Sequence, residues 1–137
     1  MQTGYIKIIR EEGKAPMIEA ELVNNTLWLS KHQIARFFDV FEAKIEMNLR
    51  SIFKNNLLSE RNVTCSYRFT DKGIEKERIY YNLEVLIFLS YRIATEEAQI
   101  FRQFLNSALR KHLQRKEVEK FSKLIWYFDK NQNYWLN

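Results

Sequence analysis

The sequence predicts an α+β fold, and three observations carry that prediction. Residues 28–55 hold two segments whose apolar positions recur at helical spacing, separated by Asp39-Val40. Two β-prone runs, Val63 to Phe69 and Ile74 to Tyr81, follow around the turn Asp71-Lys72-Gly73. Strand-like runs precede these elements, and longer helical patterns close the chain. Helix, turn, helix and hairpin in that order describe a winged helix-turn-helix, here with an N-terminal β meander and C-terminal helices.

Each element has its own signal. Tyr5 to Arg10 alternates in strand fashion, and Glu11-Glu-Gly-Lys14 reads as a turn. Met17 to Val23 and Leu27 to Leu29 flank Asn24-Asn25, a pair suited to φ > 0, so a three-stranded antiparallel meander is expected. Ser30 is a natural N-cap for a helix carrying Ile34, Ala35 and Phe38 on one face. Asp39 occupies the turn position where glycine is usual, because Asp tolerates φ > 0 better than most residues. The second helix places Ile45, Leu49, Ile52 and Phe53 toward a core. A plain αα-hairpin would also fit residues 28–55 taken alone.

Asn82 can cap a largely buried helix from Leu83 to Tyr91, and Thr95 a longer one beginning at Glu96. In the latter, Phe101, Phe104, Leu105, Ala108 and Leu109 are expected to face inward, with a bend or turn near Gln114 to Lys116. Residues 1–116 are accordingly read as the winged domain and 117–137 as a helical extension.

Composition bounds the function. At 46% hydrophobic and 15% aromatic over 137 residues, the chain can fill a proper core. Cys65 is the single cysteine, so there is no disulfide framework, and no apolar run is of membrane-spanning length; a cytoplasmic protein is expected. The net charge of +5 suggests a polyanionic partner, yet residues 101–137 hold eight basic against three acidic side chains and the rest is near balance.

Thr26-Leu-Trp-Leu-Ser30, Gln33-Ile-Ala35 and Phe37-Phe-Asp-Val40 then carry a family resemblance. It continues through Ile52-Phe53, Cys65 with Phe69, Tyr80-Tyr-Asn-Leu83, Tyr91-Arg-Ile93, Phe101-Arg102 and Leu109-Arg-Lys-His-Leu113. Over residues 5–115 the chain resembles the virulence RhuM family of bacterial proteins, and phage antirepressor N-terminal domains share a similar Phe-Arg element. The resemblance implies DNA binding and a regulator of bacterial or mobile-element origin. Family members are commonly longer, so the chain resembles the N-terminal domain alone, a truncated form or a short paralogue. The family's second helix usually opens with serine and basic or hydroxyl residues, whereas this one opens Phe41-Glu-Ala-Lys-Ile-Glu-Met-Asn48. Glu42 and Glu46 are therefore expected toward the major groove, repelling phosphates.

The donors expected at double-stranded DNA are Lys44, Asn48, Arg50 and Lys54 on the second helix, with Asn48 suited to adenine and Arg50 to guanine. Lys31, His32 and Gln33 would meet the backbone at the start of the first helix. Arg68, Lys72, Lys76 and Arg78 would form a basic wing. No enzyme motif, cofactor fingerprint or metal-ligand spacing is present, so no enzyme, no cofactor and no metal are expected. A protein-interaction module on the same scaffold, antirepressor-like or toxin-associated, is the alternative. At the C-terminus Val118, Phe121, Leu124, Ile125 and Phe128 form a stripe, with Trp126, Tyr127, Tyr134, Trp135 and Leu136 beside it. That segment is expected to form a homodimer, to dock a further region, or to fold back on its own domain.

Overall fold

The computed structural model describes residues 2–130, with side chains placed at all of these except 121 and 127–130. The chain falls into two compact units, Met1–Arg102 and Gln103–Asn137. In the first, β1 (Tyr5–Ile9) and β2 (Met17–Glu21) form an antiparallel hairpin with Ile8 opposite Ile18. Gly4, at φ +70°, is required where the chain enters β1: a Cβ there would lie 2.5 Å from the Glu21 carbonyl oxygen. Asn24 and Asn25 both adopt positive φ, 53° and 65°, in a tight turn closed by Val23 and Thr26.

The expected meander does not continue past that turn. β3 (Trp28–Ser30) leaves β2 and pairs antiparallel with β5 (Ile74–Asn82), placing Leu29 opposite Tyr81. Burial explains the choice. Leu29 and Tyr81 are both buried, whereas β2 is mostly exposed and would have left Leu29 in water. β4 (Thr64–Asp71) pairs with the other edge of β5, so the three-stranded sheet has the order β3-β5-β4. Lys72 and Gly73, at φ 51° and 76°, make the two-residue turn between β4 and β5.

Between β3 and β4 lie α1 (Lys31–Phe38), α2 (Glu42–Lys54) and α3 (Glu60–Val63), a single turn with no sequence signal strong enough to announce it. Ser30 caps α1, accepting from Gln33 N at 3.3 Å, while Gln33 Oε1 accepts from Ser30 N at 2.8 Å. Asp39 ends α1 in the left-handed region at φ 54°, and three residues later α2 begins. Ile34, Ala35 and Phe38 are buried with Ile45, Leu49 and Ile52, as their spacing predicts; Phe53 is half-buried and stacks on Tyr81 with ring centres 6.5 Å apart.

α4 (Leu83–Ser90) starts where Asn82 Oδ1 accepts from Val85 N at 3.3 Å, and buries every residue at least partly except Glu84. Thr95 caps α5 (Glu96–Lys130), its Oγ1 accepting from Ala98 N at 3.2 Å. Phe101 is fully buried and meets Phe37 edge-on at 5.6 Å. Its removal would cost about 3–5 kcal/mol. Arg102 donates to the carbonyls of Ser90 and Ile93, satisfying acceptors left open where α4 ends.

Beyond Arg102 the expectations need correction. α5 is one continuous helix through Gln114 to Lys116, without the interhelix turn that is one of the two expectations there. Phe104, Ala108 and Leu109 are exposed instead of facing inward, and Leu105 is half-buried. The apolar spacing at 104–109 cannot, by itself, say whether a second surface is present to receive it. In residues 117–137, Val118, Leu124, Ile125 and Trp126 are exposed. The side chains of Phe121, Tyr127 and Phe128, and all of Tyr134, Trp135 and Leu136, lie outside the described residues.

Candidate nucleic-acid interface

The burial of Ile45, Leu49 and Ile52 fixes which way α2 faces. At about 100° per residue the opposite side carries Ala43, Met47, Arg50 and Lys54, spaced four, three and four residues apart, and all four are exposed. Lys44 flanks this face. It therefore presents three cations, a methionine and an alanine, with one carboxylate at its edge, Glu46, whose Oε1 lies 3.2 Å from Arg50 Nε.

Glu42 and Glu46 do not lie where the sequence suggests. Glu42 Oε1 sits 2.8 Å from His32 Nδ1, and Glu46 accepts from Lys31 Nζ and, at 3.2 Å, from Arg50 Nε. Both carboxylates turn toward the start of α1, because helix phase carries 42 and 46 round to that side. The hydrogen bond from Lys31 holds the Glu46 carboxyl below the usual carboxylate range, and the same bond raises Lys31. Lys31 and His32, expected at the DNA backbone, thus each contact a carboxylate of the second helix. Gln33 gives its side-chain oxygen to the capping box.

Asn48 requires a fuller correction. Only 7% exposed, it donates from Nδ2 to the Lys44 carbonyl at 2.8 Å and accepts at Oδ1 from Arg92 Nε at 3.0 Å. Helix phase puts it on the flank facing the α4–α5 turn, so it cannot read adenine. Arg92 also donates to Ser51 Oγ at 2.8 Å. Tyr91-Arg92-Ile93, part of the family resemblance, is therefore explained locally: Arg92 clamps α2 in position.

In the hairpin, register sorts the four candidate cations. Arg78 lies opposite Tyr67 and Lys76 opposite Phe69, on the face away from Tyr81. The Arg78 guanidinium lies 5.1 Å from the Phe69 ring centre, and Phe69 stacks with Tyr67. Lys76 Nζ reaches Asp71 Oδ2 at 2.9 Å. Arg68 lies on the other face and Lys72 at the turn, both exposed. Among the described residues Lys44, Lys54, Arg68 and Lys72 have no carboxylate partner within 4 Å.

A groove of about 720 Å³ runs between the start of α1 and β5, lined by Lys31, His32, Arg36, Glu42 and residues 77–81. Arg36 was not singled out by the sequence, although it falls one turn after His32. Ala43 and Met47 were also passed over; continuing the phase of Ile45, Leu49 and Ile52 to the opposite side would have found them.

Among the described residues no group of His, Cys, Asp and Glu side chains is arranged to hold a metal ion, and no helix is long and apolar enough to cross a membrane. Cys65 is half-buried, and burial pushes its thiol up, away from the reactive thiolate. No family model matches the chain, and neither a curated protein nor a solved structure is significantly similar to it.

Proposed function

We propose that the chain binds double-stranded DNA as a winged helix-turn-helix, with α2 in the major groove and the β4–β5 hairpin beside the phosphate backbone. The observation that carries this reading is the outward face of α2, where Lys44, Arg50 and Lys54 are exposed, Glu42 turns to His32, and Glu46 is held between Lys31 and Arg50. A helix about 10–12 Å across fits a groove about 12 Å wide. Pairing of β3 with β5 ties the hairpin to the strand that leads into α1, which supports a wing held in register with the helix pair. Lys72 at its turn and Arg68 are the cations best placed for phosphates. The resemblance to the RhuM family supports a cytoplasmic transcriptional regulator of bacterial or mobile-element origin. Exposed Leu109, Leu113, Val118 and Leu124 on α5 support a homodimer, which would set two such units on adjacent half-sites.

The test is fluorescence anisotropy of a labelled random duplex across a salt series. Five outward cations, Lys44, Arg50, Lys54, Arg68 and Lys72, set a slope of log affinity against log salt of roughly −3 to −5. Binding that ignores salt would reject the reading.

A protein-interaction role has one observation in its favour. Phe41 is 87% exposed and lines, with Val40, Lys44 and Ile93, an apolar-sided cavity of about 490 Å³. A large aromatic left in water at the start of α2 is the kind of anchor protein partners bury. Capture of a partner that Phe41→Ala abolishes, with salt-dependent duplex binding absent, would favour it.

A further inference from the structure

Met47 is 59% exposed at the centre of the outward face of α2. Its helix neighbours are Ala43 four residues before, Lys44 three before and Arg50 three after. The inward side of α2 is already filled by Ile45, Leu49 and Ile52, so Met47 has no core to complete. The outward stripe of a surface helix is normally polar, and here its middle is apolar and its rim is basic. A partner complementary to that face is anionic at its edges and offers a small apolar feature at its centre. Within duplex DNA, the apolar feature on the major-groove floor is the C5-methyl group of thymine.

We infer that α2 reads thymine through that methyl group, with Met47 and Ala43 as the contacting residues, beside a guanine contacted by Arg50. The inference rests on the DNA reading above. Met47 suits the contact because its unbranched thioether chain adapts to an irregular apolar surface. Ala43, having only a methyl group, lets the first turn of α2 approach the base edges. Arg50 is held at Nε by Glu46 Oε1, 3.2 Å away, and its side chain is largely exposed, so that bond leaves its two terminal nitrogens for a bidentate pair with guanine. Glu46 is a positioning residue in this arrangement, and Lys31 fixes Glu46 in turn.

The experiment is selection of duplexes from a randomised pool by the full chain, followed by resynthesis of recovered sequences with uracil replacing one thymine at a time. Uracil lacks only the methyl group. At a thymine beside a recovered guanine, the replacement is expected to weaken wild-type binding about fourfold, the worth of one buried methyl. Met47→Ala should bind thymine and uracil duplexes alike, whereas Met47→Leu should keep the preference. Since Met47 is mostly exposed, both variants are expected to fold. If recovered duplexes bind and uracil is tolerated at every position, the inference falls while the DNA reading stands. If duplexes are retained without any sequence being enriched, the inference falls and the DNA reading stands; if no duplex is retained at low salt, both fall.

Discussion

Arg50 Nε donates to Glu46 Oε1 at 3.2 Å across one turn of α2, while Lys31 from α1 binds the other oxygen of the same carboxylate. On the proposed DNA reading, the acidic residue that looked like an obstacle to DNA would be the link that aims Arg50 at a base. Half-exposed ion pairs add little to stability, so the value of this chain of contacts lies in orientation.

Glu46→Gln separates charge from orientation. Removing a negative charge near the phosphates should strengthen binding to random duplex by about threefold, while release of Arg50 lowers the preference for a selected site by about tenfold. Competition gel shifts with both duplexes read the two effects at once. A variant that gains affinity with its preference intact would show that Glu46 does not position Arg50.

Arg92→Ala tests the clamp on α2. Asn48 would lose the partner of its buried Oδ1 and Ser51 its donor, so a loss of about 1–3 kcal/mol is expected in urea unfolding. A cost near zero would place Arg92 outside the structural framework.

The lowered Glu46 carboxyl gives a pH dependence with a defined sign. A carboxyl more acidic in the folded chain stabilises the fold above its unfolded value, and that contribution disappears as pH falls through the lowered folded value. Other carboxylates also titrate there, so the informative quantity is the difference between wild type and Lys31→Met. The stability gap between them should be small at neutral pH and close in acid. A gap that widens below pH of about 4 would have the wrong sign.

Much of this was legible in the sequence because local rules were unopposed. Ser30 with Gln33, Asp39 at the turn, Asn82 and Thr95 as caps, and the phases of Ile34, Phe38, Ile45 and Ile52 all follow from short-range chemistry. The placement of β3 did not, since its three residues could pair with β2 or β5 and only burial of Leu29 against Tyr81 decides. The fate of Asn48 was equally hidden, because its donor Arg92 lies 44 residues away. Apolar residues beyond Arg102 resemble core positions in sequence, and only tertiary structure distinguishes a face that is covered from one that is not.

Assembly is checked by light scattering at micromolar concentration. A dimer is expected, and Leu113→Lys combined with Leu124→Lys should convert it to a monomer, since both residues are exposed on α5. The double variant should still fold, because neither residue belongs to the core of Met1–Arg102. A wild-type chain that is monomeric at all concentrations would remove the half-site argument and leave the DNA reading to a single unit.

The central claim is that the outward side of α2 touches duplex DNA, and backbone amide NMR during duplex titration tests it most directly. Shifts are expected to concentrate at Ala43, Met47, Arg50 and Lys54, with a second group at Arg68 and Lys72, and to diminish when salt is raised. Met47 and Arg50 should move more than Ile45 and Leu49 on the buried side. A titration that leaves residues 43–54 unchanged, or that perturbs only the basic stretch of α5 from Arg110 to Lys123, would contradict the account.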